Sequence, residues 1–243
     1  MSFQIPLVTV AIPTMHRWNF LEKSLPTYLN HSLVQHVLIC DETGHDIEAI
    51  QASQWGKHPK LIYHKNPTRL GIYFNKRQCI ALAPTEWVAV LDSDNFFGEE
   101  FFDNLAQIWL KEGADPKHFY ACGKGLFVNE TGTITNPIDG FGGTKISKES
   151  WNEFFNRPKW NYMLNDGNWT VHKSVLESLP INVKDEDILA TDAIYMARLF
   201  VLGGFTYNIR DELAYIHSIH KGSSWVQNND ACMKIWNSTN WKI

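Results

Sequence analysis

The stretch W-V-A-V-L-D-S-D-N, residues 87–95, decides the fold class. Its first five residues are all apolar, which is typical of a short strand buried on both faces of a sheet. Asp92 and Asp94 follow directly, one residue apart. Two carboxylates at that spacing offer the oxygen ligands that Mg²⁺ and Mn²⁺ prefer. Aspartate is also frequent in turns and helix caps, so it is the position after a buried strand that favours a functional site.

Strand-like and helix-like segments alternate on both sides of this stretch. The other predicted strands cover residues 7–12, 36–40, 61–64, 119–128, 205–209 and 213–217. The predicted helices cover residues 18–29, 70–83, 99–111, 173–179 and 191–202. This alternation predicts βαβ units, and therefore an α/β fold class with a mostly parallel central sheet.

Polar side chains follow three of the predicted strands at the point where each strand ends. Asp41 follows the strand at residues 36–40, Asn66 follows the next strand, and Asp92 and Asp94 follow the buried one. Ligands of open α/β sheets bind beyond the carboxyl ends of the strands. The sequence therefore predicts one binding site at that edge of the sheet.

The composition excludes several classes of protein. The chain has 243 residues, of which 44% are apolar, and this is enough for one hydrophobic core. A formal net charge of −4, without runs of like charge, excludes a nucleic-acid binder held by bulk charge. The sequence has no apolar run long enough for a transmembrane segment and no secretion signal, so we expect a soluble, cytoplasmic protein. Without a linker or repeat, we expect a single domain over residues 1–243.

Aromatic residues make up 13% of the chain, and several lie in polar surroundings rich in asparagine and glycine. The apolar face of a pyranose ring packs well on an aromatic ring, so Trp160, Trp169 and Trp225 are candidate platforms for a sugar. Packing in the core is the more common use of tryptophan. The composition leaves both interpretations open.

Six segments, taken in order, resemble the family 2 type nucleotide-sugar glycosyltransferases, which have the GT-A fold. They are VTVAIPTMHR (8–17), VLICD (37–41), NPTRLG (66–71), VAVLDSD (88–94), GNWTVHKSVL (167–176) and TD (191–192). The resemblance implies a GT-A, Rossmann-like, three-layer α/β/α sandwich. It also implies a nucleotide-binding part over about residues 1–95 and an acceptor and catalytic part over about residues 96–243.

The activity that the resemblance implies is an inverting, metal-dependent sugar transfer. The donor would be a nucleoside-diphosphate sugar, UDP- or GDP-linked, and the acceptor a hydroxyl group of a glycan, a lipid-linked molecule or a small molecule. Asp192 would be the general base. Asp94 would hold Mn²⁺ or Mg²⁺, helped by Asp92 and by a histidine after the last predicted strand. His217 is favoured over His220 because it ends that strand.

The resemblance also implies which residues contact the nucleotide or the donor sugar. These residues are Pro13, Thr14, Arg17, Asp41, Asn66, Arg69, Lys76, Arg77, Asp92, Ser93 and Trp169.

Two positions depart from the family pattern. Thr191 stands where the family usually has glutamate, although Asp192 is kept. Lys76 and Arg77 stand where an Arg-Asn pair is common, so the residue that faces the diphosphate stays open. Without the family context, Asp192 is an ordinary helix N-cap carboxylate. The acidic residues upstream are rival bases, and they are Asp185, Glu186 and Asp187.

Two other functions remain as alternatives at this point. A nucleotidyltransferase that makes nucleotide sugars would need a glycine-rich phosphate loop after the first strand, and residues 12–17 contain no glycine. A non-catalytic carbohydrate-binding module would account for the aromatic residues. It would not account for the ordered carboxylates Asp92, Asp94 and Asp192.

Overall fold

The computed structural model describes residues 4–243, and a ten-stranded sheet runs through this part of the chain. The strands are β1 (Val8–Thr14), β2 (Val34–Asp41), β3 (Leu61–Lys65), β4 (Trp87–Val90), β5 (Phe96–Phe97), β6 (His118–Asn129), β7 (Ile134–Thr135), β8 (Lys145–Ile146), β9 (Trp169–His172) and β10 (Thr206–Ile219). Eight of them follow one another in the order β3-β2-β1-β4-β9-β6-β10-β5, while β7 pairs with β6 and β8 with β10.

The first four strands form the parallel part of the sheet. β1 pairs in parallel with both β2 and β4, and β2 pairs in parallel with β3. Every residue of β4 is buried, and the strand lies between β1 and β9. This confirms the central, buried strand that the apolar run at residues 87–91 predicts, because a strand covered on both faces needs no polar side.

The second half of the chain continues the same sheet. β9 pairs antiparallel with both β4 and β6, and so it joins the two halves. β6 and β10 pair in parallel along most of their length. The sequence predicted two strands near residues 205–217, whereas β10 is one strand whose register shifts between Arg210 and Ala214. The exposed Asp211 and Glu212 interrupt the apolar pattern there without ending the strand.

Helices cover the sheet and complete the predicted α/β/α sandwich. They are α1 (Trp18–Asn30), α2 (His45–Ala52), α3 (Ile72–Leu82), α4 (Phe101–Glu112), α5 (Trp151–Phe154), α6 (Trp160–Leu164), α7 (Asp192–Leu202), α8 (Ser224–Gln227) and α9 (Asn229–Ser238). α3 packs on β1, β2 and β4, while α4 and α7 pack on β10. The helix predicted at residues 173–179 is a 3₁₀ helix, Lys173–Ser178.

Candidate active site

A cavity of about 600 Å³ opens beyond the carboxyl ends of β1 and β4, where the strand-end rule places a ligand. Many of the residues predicted for the site line it, namely Pro13, Thr14, Arg17, Arg69, Lys76, Asp92, Ser93, Asp94, Asp192 and His217. His220 contacts Asp94 at the rim of this group. The fold therefore brings together residues from both halves of the chain.

Lys76 connects two of the predicted carboxylates at the centre of the cavity. Its Nζ lies 2.8 Å from Asp92 Oδ1 and 2.8 Å from Asp192 Oδ2, and its side chain is 2% exposed. Burial lowers the pKa of Lys76, but the two carboxylates outweigh it and hold the pKa above its usual value. Burial raises the pKa of Asp192, although Lys76 opposes this. Removing one member of this cluster would leave a buried charge without its partner, which is costly.

α3 and α7 bring this cluster together from distant parts of the chain. Lys76 lies in the middle of α3, which packs on β1 and β4. Asp192 is the first residue of α7, and the cap position before it, Thr191, makes no side-chain cap hydrogen bond. The ordinary N-cap role considered for Asp192 is therefore not the one seen, because its carboxylate faces Lys76 instead.

A second cluster joins the loop after β4 to the segment after β10. Asp94 Oδ2 lies 2.9 Å from His220 Nε2 and 3.5 Å from Arg17 Nε. Burial raises the pKa of Asp94, but the hydrogen bond with His220 and the charge of Arg17 outweigh it, so the pKa is lowered overall. Arg17 also donates a hydrogen bond to the carbonyl of Gly222. Arg17 thus connects the loop after β1 to the segment that follows β10.

Asp94 and His220 suit a divalent cation in chemistry and in separation. Two neighbouring ligands, each about 2.1 Å from an octahedral ion, lie about 3 Å apart, which matches Asp94 Oδ2 and His220 Nε2. Within residues 4–243, no three side chains of His, Cys, Asp or Glu converge closely enough to hold a metal alone. The pair therefore fits an ion whose remaining ligands are water and phosphate oxygens, as Mg²⁺ commonly has.

His217 lies near this pair in a more enclosed position. Its ring stacks on Phe127 with the ring centroids 4.6 Å apart, and Nδ1 is buried without a hydrogen-bond partner among residues 4–243. Burial lowers the pKa of His217, which favours the neutral imidazole that metals bind. The structure does not bring His217 into contact with Asp94 as it does His220.

Four predicted donor contacts do not line the cavity. Asp41 is fully buried, and its carboxylate accepts hydrogen bonds from the backbone N–H groups of Thr43, Asp46 and Ile47 at the start of α2. Asn66 donates to the Asn75 side chain. A polar residue at a strand end also suits a helix cap, and sequence spacing does not separate the two roles.

The other two, Arg77 and Trp169, are turned away from the cavity for different reasons. Arg77 Nε donates to the carbonyl of Leu179 at 3.4 Å. Trp169 is fully buried in β9, with its ring centroid 5.9 Å from Lys76 Nζ. Trp169 therefore packs behind the charged cluster. The rival bases Asp185, Glu186 and Asp187 are also absent from the cavity wall, and Asp185 lies against Gly71.

Two acidic residues that the sequence does not single out also line the cavity. Glu42 follows Asp41 directly and accepts a hydrogen bond from the Leu70 backbone at 2.7 Å. Asp166 precedes β9, is 4% exposed, and has a pKa that burial raises to about 7. An Asp-Gly-Asn sequence just before a strand could have indicated Asp166. The segment that resembles the family begins at Gly167, directly after this residue.

Aromatic rings form the far wall of the cavity. Trp225 and Trp236 line it, and Trp160 stacks on Trp236 with the ring centroids 5.4 Å apart. Trp160 thus supports the wall from behind. No helix in the described part of the chain is both long and apolar enough to cross a membrane.

Comparisons with known proteins identify the family and the fold of this chain. The family model of glycosyl transferase family 2 matches residues 9–176. A search of curated proteins finds no match. S. aureus TarS 1-349 in complex with UDP-GlcNAc is similar in structure, with a TM-score of 0.66 and 13% identity over 90% of this chain. The same TarS fragment in complex with UDP has a TM-score of 0.65 and 14% identity over 96% of this chain.

The match to TarS shows the fold alone, because sequence identity this low does not indicate a shared function. This chain spans 60% of the UDP-GlcNAc-bound TarS chain and 66% of the UDP-bound one. The family model, by contrast, covers more than half of the present sequence, including β1, β4 and both aspartates of the D-S-D turn. The chain therefore belongs to glycosyl transferase family 2 and has the GT-A fold.

Proposed function

We propose that this enzyme moves a sugar from a nucleoside-diphosphate sugar to a hydroxyl acceptor, with inversion at the anomeric carbon and with the help of Mn²⁺ or Mg²⁺. The observation that carries the proposal is the bridge of Lys76 between Asp92 and Asp192. It joins a carboxylate of the strand-end turn to one on α7 inside a single cavity. Sugar transfer brings the donor and the acceptor together, so the groups that bind the donor and activate the acceptor must be neighbours.

The diphosphate would bind beside the D-S-D turn. Arg17, Arg69 and Lys76 line the cavity and supply positive charge that suits phosphate oxygens. Asp94 and His220 would hold the metal ion, with His217 as the alternative histidine. When bound, such an ion offsets the negative charge that builds up on the departing diphosphate.

Asp192 is the proposed general base. The acceptor oxygen attacks the anomeric carbon from the face opposite the diphosphate, and the bond from that carbon to the diphosphate oxygen breaks, its electron pair leaving with the nucleotide. Asp192 takes the proton of the acceptor hydroxyl. Its raised pKa makes it a better proton acceptor than an ordinary aspartate. Lys76 orients this carboxylate and stabilises its charged form before the proton arrives.

The two parts of the chain would divide the work. We propose that residues 1–95 bind most of the nucleotide and that residues 96–243 supply the base and the acceptor surface, all within a single domain. The aromatic wall of Trp225 and Trp236 suits the apolar face of an acceptor sugar. TarS 1-349 was solved with UDP-GlcNAc and with UDP, which makes UDP-linked donors the first to test.

The test measures nucleotide binding and transfer separately. Calorimetry with UDP and with GDP, each with and without Mn²⁺, should show binding that is tighter with the metal. Asp94→Ala should remove that metal dependence, while Asp139→Asn, at an exposed position outside the cavity, should keep it. Release of UDP or GDP from a panel of sugar donors then reports turnover. Equal affinity with and without Mn²⁺ in the wild type would reject the metal-dependent mechanism.

A further inference from the structure

Asp166 and Tyr215 place two more polar groups in the cavity, and the transfer proposed above uses neither. Asp166 Oδ2 and the Tyr215 hydroxyl are buried, and neither has a hydrogen-bond partner of good geometry among residues 4–243. They lie close enough to interact with each other. Asp166 is 4% exposed and Tyr215 is 1% exposed, yet both residues line the cavity. Leaving buried polar atoms unpaired is costly, so such atoms commonly mark the place of a ligand that pairs with them.

The carboxyl group of Asp166 is held rigidly by one of its two oxygens. Oδ1 accepts hydrogen bonds from the backbone N–H of Asn168 at 3.2 Å and from Asn168 Nδ2 at 2.6 Å. Asn168 Oδ1 in turn accepts from the backbone N–H of Asp92 at 3.0 Å. Asn168 therefore connects Asp166 to the turn that is proposed to face the diphosphate. Among residues 4–243, only Tyr215 is near enough to pair with the second oxygen of Asp166.

The backbone between these residues also lies against the charged cluster. A Cβ atom at Gly167 would clash with Lys76 Nζ, so glycine allows the chain to approach the lysine closely at this point. Burial raises the pKa of Asp166, the hydrogen bonds from Asn168 lower it, and the charge of Asp92 is close enough to raise it again. Asp166 is thus a neighbour of the proposed diphosphate site.

Tyr215 lies on β10, on the other side of Asp166. Burial raises the pKa of Tyr215, and the nearby carboxyl of Asp166 raises it further. A fixed carboxylate oxygen accepts a hydrogen bond from a hydroxyl group, whereas a tyrosine hydroxyl both donates and accepts. Side by side, the two groups suit a ligand hydroxyl that must donate one bond and accept another.

We propose that Asp166, together with Tyr215, binds a ring hydroxyl group of the transferred sugar and so selects the donor. The inference rests on the proposed function, because it takes the diphosphate to lie at Asp92 and Asp94. In a nucleoside-diphosphate sugar the sugar ring is bonded directly to the outer phosphate. Its hydroxyls are therefore the first polar groups beyond the phosphate, while the ribose and the base lie on the opposite side.

The first test separates sugar recognition from nucleotide recognition. Calorimetry with Mn²⁺ would compare UDP alone with UDP-GlcNAc, UDP-glucose, UDP-galactose and GDP-mannose for the wild type, Asp166→Asn and Tyr215→Phe. We expect both variants to keep the wild-type affinity for UDP within about threefold. Measured at pH 8, where the Asp166 carboxyl is mostly ionised, Asp166→Asn should weaken the best sugar donor by roughly 10- to 100-fold, since a hydrogen bond to a charged group is lost. Asp139→Asn is the matched control and should change neither value.

A second measurement identifies the hydroxyl group. Deoxy forms of the best donor, each lacking one ring hydroxyl, would be titrated against the wild type and Asp166→Asn. One deoxy donor should bind about 10- to 100-fold more weakly than its parent to the wild type, but less than about threefold more weakly to the variant. Equal losses in both proteins for every deoxy donor would overturn the assignment, because Asp166 would then contact none of those groups.

Other results for Asp166→Asn would contradict the sugar-binding role. If Asp166→Asn weakened UDP and the UDP-sugar equally, Asp166 would act through Asn168 and the Asp92 turn, and the sugar-binding role would be wrong. If the variant lost stability but bound every donor normally, Asp166 and Tyr215 would merely satisfy each other. Should Asp166→Asn fail to fold, Tyr215→Phe carries the same comparison. A wild type that bound neither UDP nor GDP would instead refute the proposed function itself.

Discussion

At the scale of single residues, the site depends on one buried cation. Lys76 pairs with Asp92 and Asp192, which lie on different elements, so it neutralises two carboxylates that would otherwise repel each other in a buried place. The family pattern commonly has arginine-asparagine where this chain has Lys76 and Arg77. Of these two residues, Lys76 lines the cavity and Arg77 donates to the carbonyl of Leu179, so Lys76 is the one that we propose to face the diphosphate.

The first prediction separates binding from chemistry at Asp192. Asp192→Asn keeps the size of the side chain but removes the base, so donor affinity should stay near wild type while transfer falls roughly 10²- to 10⁴-fold. Calorimetry with UDP and Mn²⁺, the release of nucleotide from a UDP-sugar, and a melting curve would be measured on the same variant. Retained transfer would move the search for a base to Asp185 or Asp187.

The second prediction uses the pKa of Asp166. Burial raises this pKa to about 7, against about 3.9 in an unfolded chain. Between pH 4 and 7 the folded state therefore holds one more proton than the unfolded state, so the free energy of unfolding falls as pH rises, by at most about 1.4 kcal/mol per pH unit. Asn168 and Asp92 are the groups that most affect this carboxyl after burial.

Asp166→Asn removes this titration, so it should stabilise the protein more at pH 8 than at pH 5 relative to the wild type. Urea unfolding of both proteins at the two pH values gives the comparison. Parallel stability curves for the two proteins would show that Asp166 has an ordinary pKa.

At the scale of elements, the strand-end carboxylates organise the first turns of two helices. Asp41 accepts from the backbone at Asp46, and Asp46 accepts from the backbone of Arg17 and Trp18, where α1 begins. Thr14, at the end of β1, also donates to Asp46. The position of Arg17 in the cavity therefore depends on a chain of hydrogen bonds that starts at Asp41, a residue that does not face the cavity itself.

The third prediction follows from this chain of contacts. Asp41→Ala leaves three backbone N–H groups without an acceptor, two of them buried, so it should lower the free energy of unfolding by about 2–4 kcal/mol. Asp139→Ala, at an exposed position, is the matched control and should change it by less than about 0.5 kcal/mol. Urea unfolding measures both. A loss of nucleotide affinity in Asp41→Ala at full stability would support the direct contact between Asp41 and the nucleotide that the resemblance implies.

At the scale of the whole molecule, the site is assembled from the two ends of the chain. Asp94 and His220 are 126 positions apart, and Arg17 and Gly222 are 205 positions apart. β9 makes this possible, because it pairs antiparallel with β4 on one side and with β6 on the other. β6 then carries β10, whose end delivers His217 and His220 to the D-S-D turn.

The fourth prediction concerns which histidine completes the metal site. His220 contacts Asp94 and His217 does not, so His220→Ala should weaken Mn²⁺ affinity in the presence of UDP more than His217→Ala does. This reverses the order that the sequence favours. Mn²⁺ titrations of both variants, with His58→Ala as a control outside the cavity, would measure the difference. A larger loss of Mn²⁺ affinity for His217→Ala would show that His217 is the metal ligand, as the sequence favours.

The sequence by itself determined the fold class, the family and the central carboxylates. The apolar run of β4 followed by Asp92 and Asp94 can be read from the order of residues, because burial on both faces of a strand and a turn at its end are local properties. Family motifs spaced along residues 9–176 carry the same kind of local information. Neither kind of pattern says what a polar side chain touches.

Only the tertiary structure decided the roles of individual polar residues. Asp41 and Asp92 both follow a strand, yet one caps a helix and the other pairs with a lysine across the cavity. Asp166 and His220 are placed by strands that are far apart in sequence, and their neighbours depend on how β9 and β10 pair. Side-chain partners at long sequence separation are fixed by packing of the whole sheet, which no local pattern of residues encodes.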